Sequence, residues 1–178
     1  MGGYGVDLET VSIGLLVVRV VAGLVMAAHG TQKLFGWFGG YGLKQTGEFF
    51  VQLGFSAGRA FAAAASLAEI TSGLLVTFGF LGPIGPALML SVMIVALITV
   101  HLRNGLFAST NGIEVPLLYG SLAIGLALIG FGRYSLDALL GIADRWPPTL
   151  SWIALGVGIV GAFANVAIRH RSPAAAGS

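Results

Sequence analysis

The sequence predicts an all-α membrane helix bundle, with four core transmembrane helices followed by a fifth at the C-terminal end. Three observations carry that expectation. Of 178 residues, 56% are hydrophobic and only 9% charged, at a mean hydropathy of +0.92. A soluble domain carries about 25% charged residues, so most of this exterior has to face lipid. The apolar residues also fall in five long continuous runs. Crossing about 30 Å of hydrocarbon as a helix takes roughly 20 such residues. A membrane barrel, the other way to satisfy a backbone in lipid, needs alternating strands of about ten residues, which are not seen.

Each element follows from local signals. Residues 1–10 form an N-terminal segment in which Asp7 and Glu9 precede the first run. A secretory signal peptide opens instead with a basic region, so the run, about Val11 to Ala28, reads as a retained helix. Residues 43–54 place Lys44, Glu48 and Gln52 on one helical stripe and Leu43, Phe50 and Leu53 on the other side, the pattern of a short helix lying in the interface. The second span covers about Ala60 to Leu81. Gly82-Pro83 and Gly85-Pro86 mark a tight turn, and the third span follows from about Ala87 to Leu102. Two Asn-Gly pairs in residues 103–114 mark turns before the fourth span, about Val115 to Phe131. The four-helix domain therefore occupies residues 11–140. Residues 141–171 hold a connector and the fifth span, about Leu150 to Ile168 after Trp146-Pro147-Pro148, and 172–178 form a tail. Small residues at every fourth position (Ala60, Ala64, Ala68 and Ser72; Ala154, Gly158 and Ala162) are stripes on which helices can approach closely.

Composition excludes several functions. The net charge of +2 is spread over scattered Arg and Lys residues with no basic patch, so nucleic acid is not a partner. There is no cysteine, which removes disulfides, thiolate catalysis, Cys-held iron–sulfur clusters and thioether-linked haem. Electrons in any redox role must be carried by a cofactor or by a protein partner subunit. The lipid bilayer is the first partner.

Charges inside the spans are the sharpest signals. Arg19 and Glu69 each sit near the middle of an apolar run, where a lone charge costs at least about 2.5–3.5 kcal/mol. Arg19 lies about ten residues from His29 and Glu69 about nine from Ala60, so their levels differ by about 2 Å. An Arg19–Glu69 ion pair is therefore expected, either as a clasp fixing helix register or as a charged floor under a binding site. A second group gathers at one membrane face. His29 and Lys33 end the first helix, His101 ends the third and Glu114 opens the fourth. Together these four form a candidate catalytic site able to exchange protons with a quinone or hold a small anion. Taken singly, each also reads as an ordinary polar helix end. Two His on two helices permit a bis-imidazole haem, but their terminal positions and the lack of any further haem signature disfavour it. Two His and a carboxylate could ligate a metal, yet nothing fixes their spacing, and no metal is expected.

These residues carry a resemblance. Arg19-Val20-Val21-Ala22-Gly23, then His29-Gly30-Thr31-Gln32-Lys33-Leu34-Phe35-Gly36, resembles the first-helix motif of the DoxX family. Glu69, His101-Leu102-Arg103-Asn104-Gly105 and Gly132-Arg133-Tyr134-Ser135-Leu136-Asp137 extend it, so that the resemblance covers roughly residues 11–140. It implies a small four-helix membrane protein with an oxidoreductase-associated role, since the family is similar to a subunit of thiosulfate:quinone oxidoreductase. The fifth apolar segment departs from that pattern. The resulting expectation is a subunit of a redox complex in the cell membrane, linked to quinone or a sulfur compound. The alternative is a non-enzymatic scaffold docking soluble partners at the cytoplasmic face. With five spans, Lys33, Lys44, Arg59, Arg103, Arg169 and Arg171 share one side against Arg133 and Arg145, which places the N-terminus outside.

Overall fold

The computed structural model describes residues 7–169. The tail at 172–178, Arg171 and most of the N-terminal segment lie outside the described residues. Seven helices follow in order: α1 Leu8–Phe35, α2 Gly42–Gln52, α3 Gly58–Phe78, α4 Ile84–Ala96, α5 Glu114–Ile129, the single turn α6 Leu136–Leu139, and α7 Pro148–Ala167. α4 runs on through a π-helical turn, Leu97–His101, and a short 3-10 turn to Asn104. Four helices are long and apolar enough to cross a membrane: α1, α3, α4 with its extension, and α7. The 16 residues of α5 are apolar but span only about 24 Å. No strand occurs among the described residues.

α1, α3, α4 and α5 pack antiparallel in sequence, and α7 lies against α4. One core joins them: Met26 of α1, Val76 of α3, Met89 of α4, Leu126 of α5 and Leu155 of α7 are all buried. Bundle packing between α1 and α3 rests on glycines where backbones nearly touch. A Cβ at Gly23 would lie 2.5 Å from the Gly73 carbonyl, and one at Gly30 2.5 Å from that of Ser66. Of the expected stripe of Ala60, Ala64, Ala68 and Ser72, two members do not make this contact. Ala64 and Ala68 face a cavity instead, because the helix turns Ser66, Gly73 and Thr77 toward α1. The α7 stripe does pack closely, with Gly158 set against the Ala87 carbonyl of α4.

The expected turn at residues 82–86 is shorter than its two Gly-Pro pairs suggest. Gly79, Leu81 and Gly82 take left-handed conformations, and α4 begins at Ile84. Pro86 then sits in the first helical turn, where no intrahelical donor is needed. The first helix runs seven residues beyond the expected Ala28, to Phe35, and stops at Gly36 with φ 77°, a left-handed stop natural to glycine.

Candidate functional site

Neither buried charge has the expected partner. Arg19 and Glu69 are 2% and 1% exposed, but no ion pair joins them. The reason is register. Gly23 meets Gly73, Gly30 meets Ser66 and Ile70, and Arg19 stands beside Gly79. Arg19 is therefore about 16 Å along the axis from the level of Glu69, which matches Gly30. Side chains also lean toward their helix N-terminus, which in antiparallel neighbours carries these two apart.

Arg19 closes the end of the bundle where α3 turns into α4. Its Nη1 donates to the carbonyls of Thr77 and, at 3.4 Å, Val76, and its Nη2 donates to the carbonyl of Tyr134. These first two are carbonyls in the last turn of α3, where the helix dipole favours a cation; that of Val76 also accepts from the Gly79 amide at 3.1 Å. Asp137 completes this end. Its carboxylate accepts from the backbone amides of Leu81 at 2.9 Å and Gly82 at 2.7 Å. At the rim, Glu9 meets Arg133 at 3.3 Å and accepts from the Tyr134 hydroxyl at 2.5 Å. That bond to Glu9 pushes the Tyr134 phenol above its ordinary 10.0. The motif spanning residues 132–137 thus acts as a tie between α1, the α3–α4 turn and α6.

Glu69 points the other way, toward the C-terminal end of α1. Lys33, in the last turn of α1, leans back into the bundle and its ammonium pairs with Glu69 Oε1. Glu69 Oε2 is buried without a hydrogen-bond partner. Both residues line a partly open cavity of about 360 Å³ bordered by the end of α1, α2, α3, α4 and the end of α7. That volume lies in the range of small-molecule sites, which are mostly apolar with a few placed polar groups. Phe49, Phe50, Phe55 and Phe61 supply much of the wall, and Thr99, Val100 and His101 of the π turn supply another part. Such turns are frequent at functional sites. A second cavity, also about 360 Å³, lies at the opposite end beside Asp137 and Trp146.

The expected four-residue cluster is divided. Lys33 and His101 share the cavity; His29 and Glu114 do not line it. His29 is exposed on α1, four residues before Lys33 and without the reach to enter. Glu114 Oε2 accepts from the Ala108 amide at 2.7 Å and so closes the loop before α5. His101 Nδ1 lies 2.7 Å from the Asn111 carbonyl. A carbonyl only accepts, so Nδ1 carries the hydrogen and Nε2 of the neutral ring is an acceptor. Among the described residues, no three His, Asp or Glu side chains gather as a metal-ligand set. Sequence reasoning missed the aromatic wall. Its signal was four Phe within residues 49–61, two of them adjacent.

Fold and site together define a small membrane-embedded helix bundle with an apolar cavity whose deep polar group is an ion pair. The chain belongs to the DoxX family: the DoxX model matches residues 14–102, a span that holds every cavity-lining residue except Asn165. It is 31% identical over 129 residues, covering 72% of this chain and 88% of the relative, to the Bacillus subtilis (strain 168) protein named "Putative oxidoreductase CatD". No solved structure matches the chain.

Proposed function

We propose that this DoxX-family protein is the quinone-binding subunit of a redox complex in the cell membrane, with the cavity between α2, α3 and α4 as its site. One observation carries the reading: a largely apolar cavity within the bundle has a buried carboxylate, Glu69, paired with the partly exposed ammonium side chain of Lys33, with one carboxylate oxygen unpartnered. A quinone is a flat ring with polar oxygens on an apolar body, and it reaches such a site through lipid. A sulfur oxyanion fits less well. The positive charge of Lys33 is already met by Glu69, and besides His101 the Phe-rich wall offers an anion only the neutral side chains of Thr46, Ser91, Thr99 and Asn165. The relative's name supports an oxidoreductase setting. A cysteine-free chain leaves the electron carriers to partner subunits.

The cavity end faces the cytoplasm in this reading. Lys44, Arg59, Arg103 and Arg169 lie at that end, against Arg133 and Arg145 at the other. Lys33 does not count toward that bias, since its charge is spent on Glu69. Reporter fusions at both termini test the orientation. The site itself is tested by equilibrium binding of a short-chain ubiquinone to the purified protein in detergent. Binding is expected in the wild type and lost in Ala68→Phe, which fills the cavity, at an unchanged melting temperature. A wild-type protein that binds no quinone removes the reading.

A further inference from the structure

The free polar atoms of the cavity are not indifferent to the oxidation state of a bound ring. Glu69 Oε1 is taken by Lys33, while Oε2 is buried, unpartnered and part of a side chain that lines the cavity. A carboxylate held against an ammonium offers lone pairs and no hydrogen. His101, also in the lining, gives its Nδ1 hydrogen to the Asn111 carbonyl, which in a neutral ring leaves the second nitrogen an acceptor too. The one cationic donor is Lys33, whose side chain is 34% exposed and whose ammonium keeps hydrogens beyond the one given to Glu69.

A ring hydroxyl suits this arrangement and a ring carbonyl does not. The hydroxyl can donate to Glu69 Oε2 while its oxygen accepts from Lys33. A quinone carbonyl can only accept. It would use Lys33 and leave Oε2 buried, unpaired and facing another lone pair, which is a costly state for a charged acceptor.

We infer that the cavity selects the reduced, hydroxyl-bearing form of its ring ligand, a hydroquinone or phenol, over the carbonyl-bearing quinone, with Glu69 as the specificity-determining acceptor. This rests on the reading of the cavity as a ring-binding site. Sites built to hydrogen-bond a substrate hydroxyl reject analogues that lack it far more strongly than apolar pockets reject a lost methylene. Because Lys33 is partly solvated, a discrimination of about tenfold or more is expected, rather than the extreme values of fully closed sites. A tenfold preference for the reduced form raises the midpoint potential of a bound two-electron couple by about 30 mV.

The experiment uses the full-length protein in detergent and three probes: a short-chain ubiquinone, a 4-alkylphenol and the methyl ether of that phenol. The phenol is expected to bind about tenfold more tightly than the ether. In Glu69→Gln, whose amide can donate to a carbonyl, that preference should vanish and the quinone should gain. A preference that persists in Glu69→Gln is steric, caused by the ether's added methyl, and overturns the inference. If Glu69→Gln does not fold, Lys33→Met/Glu69→Leu removes both charges and every side-chain acceptor at that position and must likewise abolish the preference. Equal binding of phenol and ether to the wild type overturns the inference but leaves the ring site standing. Failure of all three probes to bind overturns the ring site itself.

Discussion

Arg19 and Glu69 are the same problem solved in two ways, at two levels of one bundle. Both are charges near the middle of membrane-spanning helices, and both are almost wholly buried. Arg19 directs its fork at three backbone carbonyls and lines neither cavity. Only its Nε lacks a partner. Glu69 satisfies one oxygen with a side chain that can move, and its other oxygen belongs to a group lining a cavity. The difference separates a charge whose fork is spent on the backbone from one that keeps an unpartnered acceptor at a cavity wall. Depth and burial alone do not distinguish them; the partners do.

The comparison breaks most easily at Arg19. Arg19→Met strands the Thr77 and Tyr134 carbonyls in the bundle, at about 1–3 kcal/mol for each buried unpaired group. Chemical unfolding in detergent should show a loss of several kcal/mol with no separate effect on ligand affinity. A variant that unfolds like the wild type would mean the fork is not structural.

Next is an asymmetry within the ion pair. Lys33→Met leaves a carboxylate buried without its cation, whereas Glu69→Gln leaves an ammonium that is already one-third exposed and can turn toward water. Removing one partner of a fully buried pair costs about 3–5 kcal/mol; solvent contact at Lys33 makes Glu69→Gln the milder change. The thermal midpoints should rank wild type, Glu69→Gln, Lys33→Met, and the reverse order of the two variants would contradict the geometry.

Asp137→Asn sharpens the picture of the Arg19 end. Asparagine has one oxygen where Asp137 uses two, for the amides of Leu81 and Gly82. The loss of one charged hydrogen bond is expected to cost about 1.5–3 kcal/mol, read as a lower unfolding midpoint with quinone affinity unchanged. A drop in affinity would tie this end to the cavity.

The smallest effect belongs to Asp7, the N-cap of α1, whose carboxylate accepts from the amides of Glu9 and Thr10. Those bonds hold its carboxyl below the ordinary 3.8. A depressed carboxyl contributes stability that is complete above the unfolded value and lost as pH falls through the folded one. Asp7→Ala should therefore differ from wild type at neutral pH and converge with it in strongly acidic solution. A difference that persists below that range would have another source.

The helices were legible because lipid demands long apolar runs, and the burial of Arg19 and Glu69 was legible because a lone charge cannot face hydrocarbon. Their pairing was not. Counting depth from His29 assumed that α1 ended there, yet nothing in Gly30-Thr31-Gln32-Lys33 stops a helix, and the true stop is Gly36. Six further residues move the reference by about 9 Å, enough to exchange one partner for another. Lys33 and His101 were placed together because helix ends share a face. His29 and Glu114 were grouped with them by the same logic, but a common level does not fix which way a side chain turns, and loop amides compete for a nearby carboxylate such as Glu114.

The bond from Arg19 to the Tyr134 carbonyl spans 115 residues, which sets an order of events during synthesis. At roughly 5–20 residues per second, the ribosome delivers that carbonyl on the order of ten seconds after Arg19 itself. Through this interval the guanidinium of the first helix lacks one of its three carbonyl acceptors. The guanidinium therefore gains its last acceptor only when the chain beyond α5 has emerged, so the bundle is latched by one of its later-made turns.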